Sequence, residues 1–415
     1  MPVLTGRIST PTTNYAEVLC TPGVWKFYLA AAPARIGIAM TSLGIVWLVH
    51  GSTGSYAVAG SVTGGYAVAE ALVGPQVARL IDRFGQTRML PITVLVHAAA
   101  VAVLIGLTVS RASVWSLIAA GVVAGASLPQ VGAQTAARWS HALRGTPLLS
   151  SAFALEALSV GIAFLIGPAL IGTVSSLGGP VAGSVLATSL VLAGCLTLAA
   201  QRSTAPPSTK RDHAKSPDRL LHKGFLALAG TNVGIGLFFG SMQVSVTAYA
   251  VDRGTASLAG PLYSITSLVG LFAGFAYGAR RWRMPARNQF VLVLAGLSIS
   301  TVPLLIVENP WAVGFALALP GLAIAPFQTL SSVLAESELD SAVLVQGFTW
   351  LNSGSAAGIA LGAAFAGRAV DAYTAHYGFA VALLATLTAT AMAVVVYRAG
   401  VERRPIPSVG DGSQR

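Results

Sequence analysis

Three ionisable side chains stand inside long apolar runs: Arg35 within residues 25–49, Glu70 within 56–78 and Glu156 within 151–172. A charge held in hydrocarbon is costly unless it is paired, and such residues commonly mark the path of an ion or solute. At about 1.5 Å per helical residue, the three fall at similar depth in the first half of the chain. Arg35 beside a carboxylate is the least costly arrangement. Burial and an opposite charge act on a carboxyl group in opposite senses, so a change in their separation loads or releases a proton. Glu156 is the first candidate for a proton carrier because it shares its run with Gly167-Pro168; Glu70 is the second, and Arg35 is the counter-charge. The same three charges also fit a static ion pair.

A second constellation lies between two runs, Ala78-Arg79-Leu80-Ile81-Asp82-Arg83-Phe84-Gly85-Gln86-Thr87-Arg88. Asp82 at a helix end can pair with an arginine or meet the N-terminus of another helix. Gly85 permits a tight reversal, and Arg83 and Arg88 supply cations. Such a cluster can lock helices together in one state and release them in another, so Asp82, Arg83, Gly85 and Arg88 are the gating candidates.

Deep in its apolar runs the second half has amides and aromatics rather than charges: Asn232, Gln243, Gln328, Gln346, Trp350 and Asn352. The first half adds His97, Gln130 and Gln134, the last two four residues apart beside Pro129. Amides and aromatics suit a moderately apolar organic solute, so Gln130, Gln134, Asn232, Gln243, Gln328, Trp350 and Asn352 are the substrate-cavity candidates.

The elements that must position these residues follow from composition. Of 415 residues, 54% are hydrophobic and only 9% charged, against about 25% charged in soluble domains; mean hydropathy is +0.72. A soluble surface cannot be built from this chain. The continuous runs indicate helices rather than the alternating strands of a membrane barrel. With about 20 apolar residues per crossing, spans are expected near 25–49, 56–78, 89–109, 114–136, 151–172 and 181–201, then near 224–248, 258–279, 289–308, 311–334, 343–366 and 377–398. The fold class is therefore an all-α membrane protein of twelve transmembrane helices in two six-helix bundles. The expected divisions are an N-terminal bundle 1–201, a polar linker 202–223, a C-terminal bundle 224–398 and a tail 399–415.

The net charge of +11 is distributed unevenly. With the N-terminus inside, inner segments carry 21 Lys and Arg and outer loops 3, Arg111, Arg253 and Arg368. This places both termini in the cytoplasm of a multi-pass plasma (inner) membrane protein. The polar first 22 residues lack the apolar core of a cleavable leader. At an offset of 195, Phe153, Gly167 and Gly172 fall on Phe348, Gly362 and Gly367, as a duplicated half would require. Cys20 and Cys195 and the six His have no metal-ligand spacing, and no Gly-x-x-x-x-Gly-Lys phosphate loop occurs. An enzyme, a cofactor, a metal site and direct nucleotide drive are therefore not expected. The expected partners are the lipid bilayer, a small-molecule substrate and protons, with no nucleic acid, acting as a monomer.

The 78–88 loop resembles the signature Gly-x-Leu-Ala-Asp-Arg-x-Gly-Arg-Lys of the major facilitator superfamily, keeping Leu80, Asp82, Arg83, Gly85 and the basic Arg88. Ala78, Ile81 and Gln86 depart from it. The second copy, around Arg280, keeps only basic character. The resemblance implies a secondary transporter with alternating access. Gly167, Pro168 and Gly172 resemble the fifth-span Gly-x-x-x-Gly-Pro-x-x-Gly-Gly of drug/proton antiporters, with Ala163 and Ile171 at two of its glycines. That resemblance implies proton-coupled export of drug-like or metabolite compounds. A sugar or nutrient transporter, importing or uncoupled, is the alternative. The fourth-span arginine that takes part in proton coupling in many members is absent from 114–136; Arg138 is expected just beyond the inner end.

Overall fold

The computed structural model describes residues 11–207, 223–253, 259–280, 282–340 and 343–402. A short helix α1 (Pro11–Cys20) precedes α2 (Val24–Thr53), α3 (Tyr56–Phe84), α4 (Gln86–Val109), α5 (Val114–Ala126), α6 (Val131–Leu143) and α7 (Leu149–Ala200). The second half comprises α8 (Lys223–Asp252), α9 (Ala259–Ala279), α10 (Ala286–Thr301), α11 (Pro310–Glu338), α12 (Leu344–Ala372) and α13 (Ala375–Glu402). The expected linker lies largely outside the described residues, as does most of the tail.

Local chemistry sets these boundaries. Ser55, Ser113 and Asn309 cap α3, α5 and α11 by accepting a backbone N–H with their side chains. Gly54, at φ 68°, ends α2. The fifth and sixth spans run together as α7, broken only where Gly179 leaves helical geometry before Pro180. The fourth span differs from its expected 114–136. It breaks at Ser127–Gln130, where Pro129 removes a donor, and resumes as α6 to Leu143. Gln130 is consequently the cap of α6 and not a mid-helix residue, although Gln134 N still bonds its carbonyl at 3.1 Å.

Twelve crossings result, the α5–α6 pair forming the fourth. Among the described residues, nine helices are long and apolar enough to span a membrane by themselves. Of the remaining three, α3 and α12 meet through Asp82 and the backbone N–H of Gln346. In the N-terminal bundle α2 packs most extensively on α7, and in the C-terminal bundle α8 packs on α12 and α13. Close approach is the means: a Cβ on Gly194 would lie 2.4 Å from the Ala34 nitrogen, so α2 and α7 touch backbone to backbone. The outer surface carries Leu, Ile, Val and Phe, as a lipid-facing surface should. Trp115 and Trp311, both highly exposed, start α5 and α11 at the same end of the molecule. The opposite end bears Arg79, Arg83, Arg88, Arg144, Arg283 and Arg287 and is called the basic face below.

Candidate functional site

Arg35 and Glu156 meet. Nη2 of Arg35 lies 2.6 Å from Oε1 and 2.5 Å from Oε2 of Glu156, with both side chains buried. Helices α2 and α7 supply the pair, and α6 completes it. Thr135 Oγ1 accepts from Arg35 Nη2 at 2.9 Å and donates to Glu156 Oε1 at 2.8 Å, while Trp139 Nε1 donates to Oε2 at 2.9 Å. Each carboxylate oxygen therefore has two donors. Thr135 and Trp139 lie one turn apart, on one face of the stretch that continues beyond the expected end of the span. The guanidinium also faces the Tyr28 ring at 5.9 Å, and Tyr28 is held by its hydroxyl on Leu155 O. The Arg35 Nε and Nη1 atoms are buried and meet no acceptor among the described residues.

Glu70 does not join this network. Among the described residues it forms no ion pair and no hydrogen bond of its own. It stands one turn from Gly74, whose missing side chain leaves room for the Gln130 amide and Thr349 of α12. One turn the other way is Tyr66, whose buried hydroxyl has no partner. Glu70 thus lies between Tyr66, packed on α5, and Gly74, packed on Gln130 and on Thr349 of the second half.

The gating candidates lie at the basic face. Asp82 Oδ2 accepts the backbone N–H of Gln346 at 3.0 Å, in the first turn of α12. The aspartate of one half therefore caps a helix of the other, where free N–H groups and the helix dipole favour an anion. Of the two partners open to Asp82 from sequence, the helix N-terminus is the one used. Gly85, at φ 88°, ends α3 and begins α4 in a single residue. Arg83 and Arg88 are exposed; Arg83 lies over Phe84 at 5.1 Å, and neither forms an ion pair across the halves among the described residues.

Further contacts join the halves here. Arg144 pairs with Glu336, Ser151 Oγ donates to Gly278 O at 2.8 Å, and the rings of Phe153 and Phe348 lie 6.0 Å apart. Phe153 and Phe348 are one of the residue pairs that the 195-residue offset places together. Replacing Asp82 by asparagine keeps an acceptor but removes the charge, and charged hydrogen bonds are about twice as strong as neutral ones. An Asp82→Asn protein is expected to insert normally and to lose roughly tenfold in the ratio of closed to open basic face, with impaired turnover. Cross-linking of cysteines placed at the gate checks this.

Arg138 differs from its expected place beyond the span. It is buried in α6, with Nε on Gln86 Oε1 at 2.8 Å, Nη1 on Gln201 O and Thr204 Oγ1, and Nη2 on Leu198 O. This explains the departure of Gln86 from the loop signature. A cation at 86 would face the Arg138 guanidinium, whereas the amide accepts from it and donates to Gln134 O at 3.1 Å. Arg138 is thus occupied by helix ends and not by a carboxylate.

The polar candidates divide. Gln130 and Gln134 are buried near the α6 break, and the Gln134 side-chain amide has no partner. Asn232 ties α8 to α11 through Ser331 Oγ at 3.0 Å. Asn352 is exposed one turn beyond Phe348, on the stripe facing the other half; Trp350 and Gln243 are also exposed, and Gln328 is half-buried. His97 bonds Ala124 O at 2.8 Å, holding α4 to α5. Of the fifth-span residues, Gly167 admits Ala39 of α2, since a Cβ there would come within 2.9 Å of that methyl group. Pro168 sits inside α7, and Gly172 lies loosely against Trp47.

The sequence matches the Major Facilitator Superfamily model over residues 27–349. No curated protein gives a match. Among solved structures, a bacterial homologue of the iron transporter ferroportin in an outward-facing state is similar with a TM-score of 0.77 at 13% identity, covering 90% of this chain and 99% of that one. The human organic anion transporter MFSD10 (TETRAN) is similar with a TM-score of 0.64 at 15% identity, covering 92% and 98%. At these identities the likeness to the solved structures shows a shared fold.

Proposed function

The chain belongs to the major facilitator superfamily, and on that premise we propose that it exports a small, moderately apolar organic solute across the plasma (inner) membrane in exchange for protons, as a monomer. A transporter of this fold carries a solute by secondary transport, with the site between its halves exposed alternately to each side. The observation that carries the coupling is the contrast between two carboxylates of the N-terminal half. Glu156 is filled by four donor contacts from α2 and α6. Its partners lie in the same bundle, so a rocking motion of whole halves leaves them together. Glu70 has no such partners and stands one turn from Gly74, which packs against Thr349 of the other half, so its surroundings change as the halves move. We take Glu70 as the group that gains and loses the proton, with Arg35–Glu156 as a fixed charge pair that shapes the bundle. The sequence favours Glu156; its filled hydrogen-bond sites support the reverse order.

Gly167-Pro168-Gly172 supports export. The buried, unpaired donors of Arg35 support a solute that bears an acceptor such as a carbonyl or carboxyl group. The Lys and Arg bias supports a cytoplasmic basic face with both termini inside. On that assignment the gate at Asp82 closes the cytoplasmic side, and the site opens outward. The orientation has its own expected result: external maleimide labels cysteines introduced in 250–257 and 368–376 and leaves 202–223 and 280–287 unlabelled in intact cells. Labelling of 202–223 would overturn it. The function is tested by offering a compound panel to inverted vesicles with a proton gradient. Accumulation of at least one organic compound above equilibrium, abolished by a protonophore, is expected; accumulation indifferent to the protonophore contradicts proton exchange.

A further inference from the structure

We infer that the N-terminal helix α1 is a latch on the basic-face gate, and that the Tyr15 hydroxyl is its bolt. The inference does not depend on which solute or ion is carried. Helix α1 is too short to span a membrane, and it is two-sided. Tyr15 and Val18 are buried, Leu19 is half-buried, and Ala16, Glu17 and Cys20 are exposed. Its C-terminal end is fastened to the N-terminal half. Gly23, in the left-handed region at φ 81°, turns the chain directly into α2, and a Cβ there would lie 2.7 Å from Thr204. Gln201 Nε2 bonds Lys26 O in the first turn of α2 at 2.9 Å and so anchors the helix into which α1 turns.

The body of α1 reaches the other half. Tyr15 Oη donates to Phe275 O at 2.9 Å, with Gly274 O at 3.4 Å, in the last turns of α9, and its ring stacks on Phe275 at 5.4 Å. Ser151 of α7 bonds Gly278 O in the same turn. Two hydroxyls of the N-terminal half therefore hold the carbonyl end of one helix of the C-terminal half. Gly278 makes the meeting possible: a Cβ there would come within 2.2 Å of the Ala154 methyl group and 2.3 Å of Tyr15 Oη. Opening the basic face draws α9 away from α7. Because the 21–23 turn ties α1 to α2 covalently, the bond from Tyr15 to α9 is the link that must break. The latch thus favours the closed basic face and sets how often it opens.

The test uses the full chain in lipid nanodiscs, with Cys20 and Cys195 replaced by alanine and spin labels at T146C and R283C, two exposed loop positions of opposite halves at the basic face. Pulsed electron–electron resonance reads the ratio of short to long distances, both in the otherwise unchanged protein and in the Asp82→Asn background, which populates the open form. Tyr15→Phe removes one hydroxyl and keeps the ring. It is expected to lower the closed-to-open ratio about fivefold, the equivalent of one net hydrogen bond of about 1 kcal/mol, without moving the melting temperature. Tyr15→Ala is expected to lower it further, and Gly278→Ala to act in the same direction. Should Tyr15→Phe leave the distances unchanged in both backgrounds, the hydroxyl is no bolt and the proposal fails, whatever Tyr15→Ala does. A fall in melting temperature with no change of distances overturns it equally, since Tyr15 would then only pack.

Discussion

Glutamine in place of Glu156 is expected to destabilise this protein by about 3–5 kcal/mol, the usual result of removing one member of a buried ion pair. Arg35 is a guanidinium and cannot shed its charge. Left with an amide, Thr135 and the Tyr28 ring, it holds a charge in hydrocarbon with no anion near it. Arg35→Gln should cost distinctly less, because Glu156 keeps the donors Thr135 and Trp139. The double replacement Arg35→Met with Glu156→Leu should recover most of the loss, since apolar pairs of similar volume commonly replace buried ion pairs at little cost. Thermal unfolding of the purified variants in one detergent checks the order. Equal losses for the two single variants would show that Arg35 has another anion close by.

The second large effect concerns Glu70. Glu70→Gln should hold solute accumulation at its equilibrium level, a fall on the order of a hundredfold in gradient-driven uptake, while downhill exchange stays within about twofold of the unchanged protein. The reason is that an amide cannot change its proton count, whereas solute contacts and the gate are untouched. Glu70→Asp keeps a titratable group set back by one methylene and should retain partial coupling. Counterflow measured beside gradient-driven uptake separates the two activities.

Much of the architecture was legible in the sequence because hydrocarbon imposes one rule, that backbone groups be satisfied within helices, and twelve apolar runs obey it. The junctions were less legible. Pro129 marks the break in the fourth crossing, but the stretch from Gly121 to Gln134 carries no charge, and periodicity does not show that the helix resumes and continues to Leu143. That extension carries Arg138 and Trp139 into the protein beside Thr135, and with them most of the polar network. At the gate, the type and place of Asp82 were readable, but its partner is a main-chain N–H of α12, for which no side chain gives a sign. Gln86 reads as a lapse from a pattern until Arg138 is found against it. Tyr15 lies in a polar segment with few apolar neighbours, and only the folded chain brings it to α9. The pairing of Arg35 with Glu156 followed from cost alone; that Glu70 stands apart followed from which helices pack together.

The most direct measurement is proton movement itself. Inverted vesicles holding the unchanged protein, energised to an acidic interior and loaded with a fluorescent weak base, are exposed in turn to the compounds of the panel. Exchange of a proton for a solute predicts that a transported compound dissipates the gradient and restores fluorescence, and that the same compound has no effect in Glu70→Gln vesicles of equal protein content. A compound that accumulates above equilibrium in Glu70→Gln vesicles, with the gradient falling as it does in the unchanged protein, would contradict the account.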